Sequence, residues 1–197
     1  MIKQISSPII NSGRVFLLLF TLFILSGCVA AVIAGAAGGL VVYDKRSFSM
    51  IEKDSRIFHK VHTSLVTNPV FDESHIVVTS FNRNVLLAGE VSSASLRKKA
   101  ESVATSVPNV KRVYNELTIG APTPLSQRSK DSWITSQIRA KMLTKKNLES
   151  GSIRVVTEDS VVYLMGVVTR EQAQLAVDVA RQVNGVTKVV KVFRYIM

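Results

Sequence analysis

Residues 85–110, VLLAGEVSSASLRKKAESVATSVPNV, and residues 162–186, VYLMGVVTREQAQLAVDVARQVNGV, are one structural unit written twice. Each starts with a β-rich run containing a single glycine, passes into an alanine-bearing amphipathic segment and closes on an Asn-Val or Gly-Val turn. The repeat extends upstream. A shift of 77 residues pairs Ile57 with Ile134, Val61 with Ile138, Leu65 with Met142, Ile76 with Ile153, Leu87 with Leu164 and Gly89 with Gly166. A shift of 76 then pairs Ala100 with Ala176, Ala104 with Ala180, Val107 with Val183 and Val113 with Val189, so one residue has been lost in the intervening loop. Periodicity of this length marks a duplicated domain.

Each copy reads helix, strand, strand, helix, strand. In the first, Asp54 is a candidate N-cap for a helix running to about Val66. Ile76 to Thr79 and Val85 to Val91 are strands around Asn82-Arg83-Asn84, a hairpin signal. Residues 92–107 place Leu96, Ala100, Val103, Ala104 and Val107 on one side of a helix, and Val110 to Ile119 is the last strand. The two hairpin strands pair antiparallel, and the helical crossover brings the third in parallel. The expected fold class is α+β: two tandem αββαβ domains, each a three-stranded mixed sheet covered on one face by two helices. Gly89 and Gly166 fall on the helix-covered face, where glycine marks close approach of another backbone. A helix is expected there, with a side chain overpacking the core by about 1 to 3 kcal/mol.

The expected domain plan is 1–27 signal peptide, 28–50 tether, 51–120 first domain, 121–129 linker and 130–197 second domain. Lys3 and Arg14 precede the apolar run Val15 to Ile24, a combination typical of an export signal. Leu25-Ser26-Gly27-Cys28 follows. It resembles the lipobox of bacterial lipoproteins, which implies cleavage before Cys28, a diacylglycerol thioether on its sulfur and acylation of the new amine. Cys28 is the sole cysteine, so no disulfide competes for it. Val29, not Asp, comes next, which under the enterobacterial sorting rule implies the outer membrane. Residues 15–43 also lack charge and are long enough to span a bilayer uncleaved. The small-residue stretch Ala30 to Gly39 suits a tether better than a stable helix.

The formal net charge is +11, which favours an anionic partner. No block of five or six consecutive basic residues argues for a nucleic-acid arm, and stacking aromatics are lacking. The charge takes on meaning in KDSWITSQIRAKMLTKK, residues 130–146. At about 100° per residue, Ile134, Ile138 and Met142 form the core seam. Trp133, Ala140 and Leu143, with Ser136 between them, form a second apolar stripe on roughly the opposite side. Arg139 and Lys146 lie along one edge, Lys130 and Lys141 along the other. The first repeat has Arg56, Thr63 and Val66 where the second has Trp133, Ala140 and Leu143, so the fold itself does not require the stripe. Two readings of it remain open: it packs against the neighbouring domain, or it meets a surface of anionic headgroups.

The Leu-x-Gly-x-Val strand ending at Val91, the Met165-Gly166-Val167-Val168 strand, the Ala-rich helices after them, Val113-Tyr114-Asn115-Glu116 and Trp133-Ile134-Thr135 together resemble the BON domain. Tandem BON domains behind a lipobox resemble a group of periplasmic lipoproteins. The resemblance implies attachment to the inner leaflet of the outer membrane, binding of anionic phospholipid such as phosphatidylglycerol, enrichment at division sites and a role in envelope integrity. It places the lipid contact on the first helix of the second domain. In this sequence that means Trp133, Ser136, Arg139, Ala140 and Leu143, although Gln137 stands where a cation would have helped.

Catalysis finds little support. His59 and His62 lie three apart without the cysteines or carboxylates of a metal site, and His75 belongs to a loop or strand edge. No nucleophile elbow or phosphate loop occurs. No catalytic residue, metal, cofactor, small-molecule substrate or nucleic-acid partner is expected. An alternative function is a protein adaptor that docks an envelope partner, an assembly or peptidoglycan-remodelling complex. It would use the Trp133 stripe or the outer face of the second sheet, where Val161, Tyr163, Met165, Val167, Val190, Val192 and Ile196 are apolar. That face should be covered by the first domain, the linker or a partner.

Overall fold

The computed structural model describes Asp44 and residues 46–197. The signal peptide, Cys28 and most of the tether lie outside the described residues. Val42–Met197 forms one compact unit that contains both copies of the repeat.

The first copy consists of α1 (Phe48–Val66), β1 (His75–Phe81), β2 (Asn84–Val91), α2 (Ala94–Ser106) and β3 (Arg112–Ile119). The second consists of α3 (Leu125–Thr144), β4 (Ile153–Glu158), β5 (Val161–Val168), α4 (Arg170–Arg181) and β6 (Lys188–Tyr195). β2 is central in its sheet, antiparallel to β1 and parallel to β3; β5 holds the same place between β4 and β6. The αββαβ order and mixed sheets expected from the repeat are therefore present twice. Ile57, Val61 and Leu65 of α1 are buried against Val85, Leu87 and Ala104, and Ile134, Ile138 and Met142 of α3 against Val162, Leu164 and Ala180. Spacing of four residues puts each trio on one helical stripe.

Two helix starts and one cap assignment differ from expectation. α1 begins at Phe48 behind the N-cap Ser47, whose Oγ accepts the Met50 N–H at 3.3 Å. The end of the expected tether 28–50 is therefore docked. Asp54 is no cap. It lies inside α1, 4% exposed, and its carboxylate accepts the N–H groups of Asn82 and Arg83, each at 2.7 Å. These turn residues have positive φ, 51° and 64°, the geometry of a type I′ hairpin but without its favoured glycine. Asp131 repeats the device in α3, accepting the N–H groups of Asp159 and Ser160 at 2.9 Å each. A buried acid from the first helix thus fixes each hairpin turn. Finally, α3 starts at Leu125, so residues 125–129 of the expected linker are helical. Pro124 sits at the cap with φ −66°, a preset backbone that suits a helix start.

The backbone that approaches the glycines also differs from expectation. A Cβ on Gly89 would lie 2.1 Å from the His75 carbonyl oxygen, and one on Gly166 would lie 2.8 Å from that of Ser152. The close backbone belongs to the start of the adjoining strand, or the residue just before it, not to a helix. Gly89 also has φ +110°, a region that L side chains disfavour.

Phe81, Leu86 and Ala88 from the first sheet are buried with Tyr163, Met165 and Val192 from the second, flanked by half-buried Tyr114, Val156, Val161 and Val190. The outer faces of the two sheets therefore cover each other. This answers what shields the second sheet, although Ile196 remains 48% exposed. The linker reinforces the seam. Thr123 donates its N–H and hydroxyl to the buried Glu90 carboxylate at 2.9 and 2.6 Å, and Arg128 Nε donates to the Thr123 carbonyl at 2.8 Å.

Candidate functional site

α3 is oriented by its inward side. Ile134, Ile138 and Met142 fill the core of the second copy, and Asp131 ties the helix to the β4–β5 turn. That leaves its opposite side in solvent. Trp133 is 54% exposed, Ser136 and Ala140 are exposed, and Leu143 is half-buried. Because the helix starts earlier than expected, the stripe gains a member. Leu125, eight residues before Trp133, falls within about 80° of it around the axis and is 77% exposed. A linker drawn to residue 129 leaves this residue out; the sequence signal for it is a proline just before an apolar-periodic run.

The polar members of the stripe are already satisfied. Ser129 donates to the Leu125 carbonyl at 3.0 Å, Ser132 to Arg128 at 3.0 Å and Ser136 to Ser132 at 2.9 Å. Hydroxyls bonded back to their own helix cost less to move out of bulk water than free ones. The charge on α3 is one-sided. Asp131 is its sole acid and is buried, whereas Lys130, Arg139 and Lys141 are exposed, as is Lys146 just beyond the helix. The neighbouring domain does not cover the stripe, because the copies meet through their sheets.

Beside the stripe lies a cavity of about 290 Å³ lined by Arg139, Met142 and Leu143 of α3, Ile153 and Arg154 of β4, and Phe81 of β1. Asp44 lines it as well but is committed to Arg46, whose guanidinium bridges Asp44 and Asp54 at 2.6 Å each and lies over the Phe81 ring at 4.2 Å. The side-chain hydrogen bond from Arg46 holds the Asp44 carboxyl below its ordinary range. Burial works against the Arg46 charge, but Asp44 and Asp54 outweigh it and raise its pKa.

The sheet seam holds a second group of titratable residues. Glu158 is 6% exposed; burial, followed by the charges of Glu90 and Asp131, pushes its pKa up to about 7. Its Oε1 is 3.1 Å from His75 Nε2, without hydrogen-bond geometry. Burial lowers the pKa of His75, the first residue of β1 and so a strand-edge residue as expected. His59 and His62 are exposed, the latter stacked on Phe58 with ring centroids 5.4 Å apart. Among the described residues no group of three or more His, Cys, Asp or Glu is placed to hold a metal ion, and no helix is long and apolar enough to cross a membrane.

Comparison with known proteins fits this duplicated α+β architecture. The BON domain matches residues 53–121 and 130–197, so the chain belongs to the BON-domain family. It is 36% identical over 185 residues to the outer membrane lipoprotein DolP of Haemophilus influenzae, covering 93% of this chain and 96% of that one. It is 37% identical over 125 residues to the 21 kDa hemolysin of Actinobacillus pleuropneumoniae, 64% of each chain. Osmotically-inducible protein Y of Escherichia coli is 32% identical over 139 residues, 69% of each.

Proposed function

We propose that this protein is an outer-membrane lipoprotein, anchored through Cys28 and facing the periplasm, whose α3 docks on anionic phospholipid and so supports envelope integrity, including at division sites. The localisation rests on the lipobox-like Leu25 to Cys28 and on similarity to a relative named as an outer membrane lipoprotein. The docking function rests on one observation: Trp133 stands 54% exposed on a helix face whose surrounding charges are all positive. Trp prefers the headgroup boundary, where its ring is apolar and its N–H meets water. Leu125, Ala140 and Leu143 extend that contact. Each nearby Lys or Arg adds about 1 kcal/mol at an anionic surface. The role is one of binding, with no catalytic step, cofactor or small-molecule substrate.

Trp133→Glu is expected to abolish binding to phosphatidylglycerol vesicles while the far-ultraviolet circular dichroism and the melting temperature stay as in the parent. Unchanged binding by this variant would remove the site. The adaptor reading keeps only the Trp133 stripe, because the second sheet's outer face is occupied by the first sheet. Equal indifference of the parent to vesicles with and without phosphatidylglycerol would favour that reading.

A further inference from the structure

We propose that the cavity between α3, the start of β4 and the end of β1 takes the phosphodiester of an anionic phospholipid, Arg139 and Arg154 gripping the phosphate while Leu143, Ile153 and Phe81 face the adjoining carbons. The inference rests on the membrane-docking reading above and adds to it a headgroup site shared by both repeats.

Three observations carry it. First, Arg154 is half-buried yet makes no hydrogen bond or ion pair among the described residues, although it lies near two other guanidiniums. Burial, then Arg46 and Arg139, lowers its pKa, and the partial relief from Asp44 and Asp54 does not cancel this. Both acids already bind Arg46. Second, the other cation at the cavity is nearly uncommitted: Arg139 makes one long bond, Nη2 to the Val155 carbonyl at 3.4 Å. Two guanidinium forks without carboxylate partners match the planar, multi-acceptor geometry of a phosphate. Third, Arg139 and Leu143 belong both to the cavity lining and to the edge of the outward stripe. A group entering here stays continuous with the surface on which Trp133 lies.

The volume, about 290 Å³, suits a headgroup and not a whole lipid. Of the charged groups lining the cavity, Asp44 is paired with Arg46 whereas Arg139 and Arg154 have no carboxylate partner, so the unbalanced charge is positive and favours a net anion over a zwitterion, whose ammonium it repels. The apolar side of the cavity, Phe81, Met142, Leu143 and Ile153, distinguishes a lipid ester from free phosphate, which has no carbon to place there. Phe81 comes from the first repeat, which gives that module a part in the site even though its own first helix lacks the Trp.

Trp133 is the sole tryptophan, so its fluorescence reports the docking face in the full chain. Arg139 is six residues further along, roughly 9 Å up the axis, within range of quenchers on a bound lipid. With the full chain in mixed nanodiscs of phosphatidylglycerol and phosphatidylcholine, brominated phosphatidylglycerol should quench Trp133 several-fold more than brominated phosphatidylcholine at equal mole fraction. Arg154→Gln should bring that ratio close to one while total quenching persists, and Arg154→Lys should keep an intermediate ratio. A ratio near one in the parent, or an unaltered ratio in Arg154→Gln, overturns the cavity assignment and leaves docking intact. No quenching by either lipid overturns docking itself. Should Arg154→Gln fail to fold, the parent decides: phosphatidylglycerol must protect Arg154 from an arginine-selective dicarbonyl, read by mass spectrometry. Absence of protection rejects the proposal. Equal protection by inorganic phosphate in phosphatidylcholine discs makes the cavity a free-anion site and rejects the lipid.

Discussion

α1 and α3 hold equivalent places in the two repeats and differ almost wholly on the side that neither core uses. Their inward residues correspond one for one, Ile57 with Ile134, Val61 with Ile138, Leu65 with Met142 and Asp54 with Asp131, and all eight are buried. Outward, Phe48 and Val66 of α1 are 83% and 64% exposed at positions matching Leu125 and Leu143. Both helices thus carry apolar ends. The centre differs: α1 has Arg56 paired with Glu52 at 2.5 Å, whereas α3 has Trp133 and a serine bonded back to its own backbone. An exposed ion pair at that spacing is worth only a few tenths of a kcal/mol, so α1 gives up little stability for it. What it does is keep a carboxylate on the face that α3 frees of negative charge. Duplication supplied two helices with one core requirement, and divergence at the unused face left one of them with the exposed Trp133 stripe that we propose docks on the membrane.

The largest expected effect tests what the helices share. Asp54→Ala should cost about 4 kcal/mol, because it leaves two turn N–H groups and the Arg46 charge short of a partner. Asp131→Ala should cost about 2 to 3 kcal/mol, since it strips the turn but no buried cation. Urea unfolding of both variants checks the order. Equal losses would mean that Arg46 adds nothing to the first copy.

A comparable contrast holds for the glycines. Gly89→Ala combines a 2.1 Å clash on a backbone oxygen with positive φ and should cost about 3 kcal/mol. Gly166→Ala meets its oxygen at 2.8 Å and should cost about 1 to 2 kcal/mol. Melting temperatures that fall equally would show that the strand starts adjust alike.

Glu158 marks a difference within the seam. Its carboxyl titrates near 4.5 when solvated and near 7 in the folded chain. Between those values the folded state holds the extra proton, so this residue makes stability fall as the pH rises from about 4.5 to about 7 and level off above. His75 acts in the opposite direction: its lowered pKa makes folding resist protonation below its ordinary value of 6.5. Glu158→Gln should therefore gain about 3 kcal/mol relative to the parent across that rise. Denaturant midpoints at pH 4.5, 6 and 8 test it, and a difference independent of pH would refute the assignment.

Much of this was legible because the repeat is a physical constraint. Positions that pair at a shift of 77 are those that a common core fixes, and they gave the strands, the crossover and the inward seams. The same shift pairs Asp54 with Asp131, and a carboxylate retained among core positions signals a buried polar role. Read locally, however, Asp54 has the character of a cap, since Asp is favoured at helix starts. The partner that decides otherwise, the turn backbone 28 and 29 residues away, leaves no side-chain pattern. Likewise Gly89 announced a close approach but not by which strand. The uneven polarity of the outer sheet faces, Leu86 and Ala88 among charged residues against Tyr163 and Met165 among valines, concealed that they cover one another. Arg154 lies in a strand of ordinary composition, and only the fold places it beside Arg139.

The smallest effect is the sharpest test of the two helices as a pair. Leu125 and Phe48 are equivalent in register, both exposed and both one residue past an N-cap. If exposed apolar area alone governed docking, Phe48→Ser would weaken binding to phosphatidylglycerol vesicles at least as much as Leu125→Ser, since Phe carries the larger side chain. If the face must also be free of negative charge and continuous with Trp133, Leu125→Ser should weaken binding several-fold, about 1 kcal/mol, and Phe48→Ser should not change it. Vesicle co-sedimentation of the two variants separates these outcomes. An equal loss in both would mean that α1 lies on the membrane alongside α3, and that the Arg56–Glu52 pair does not keep it off.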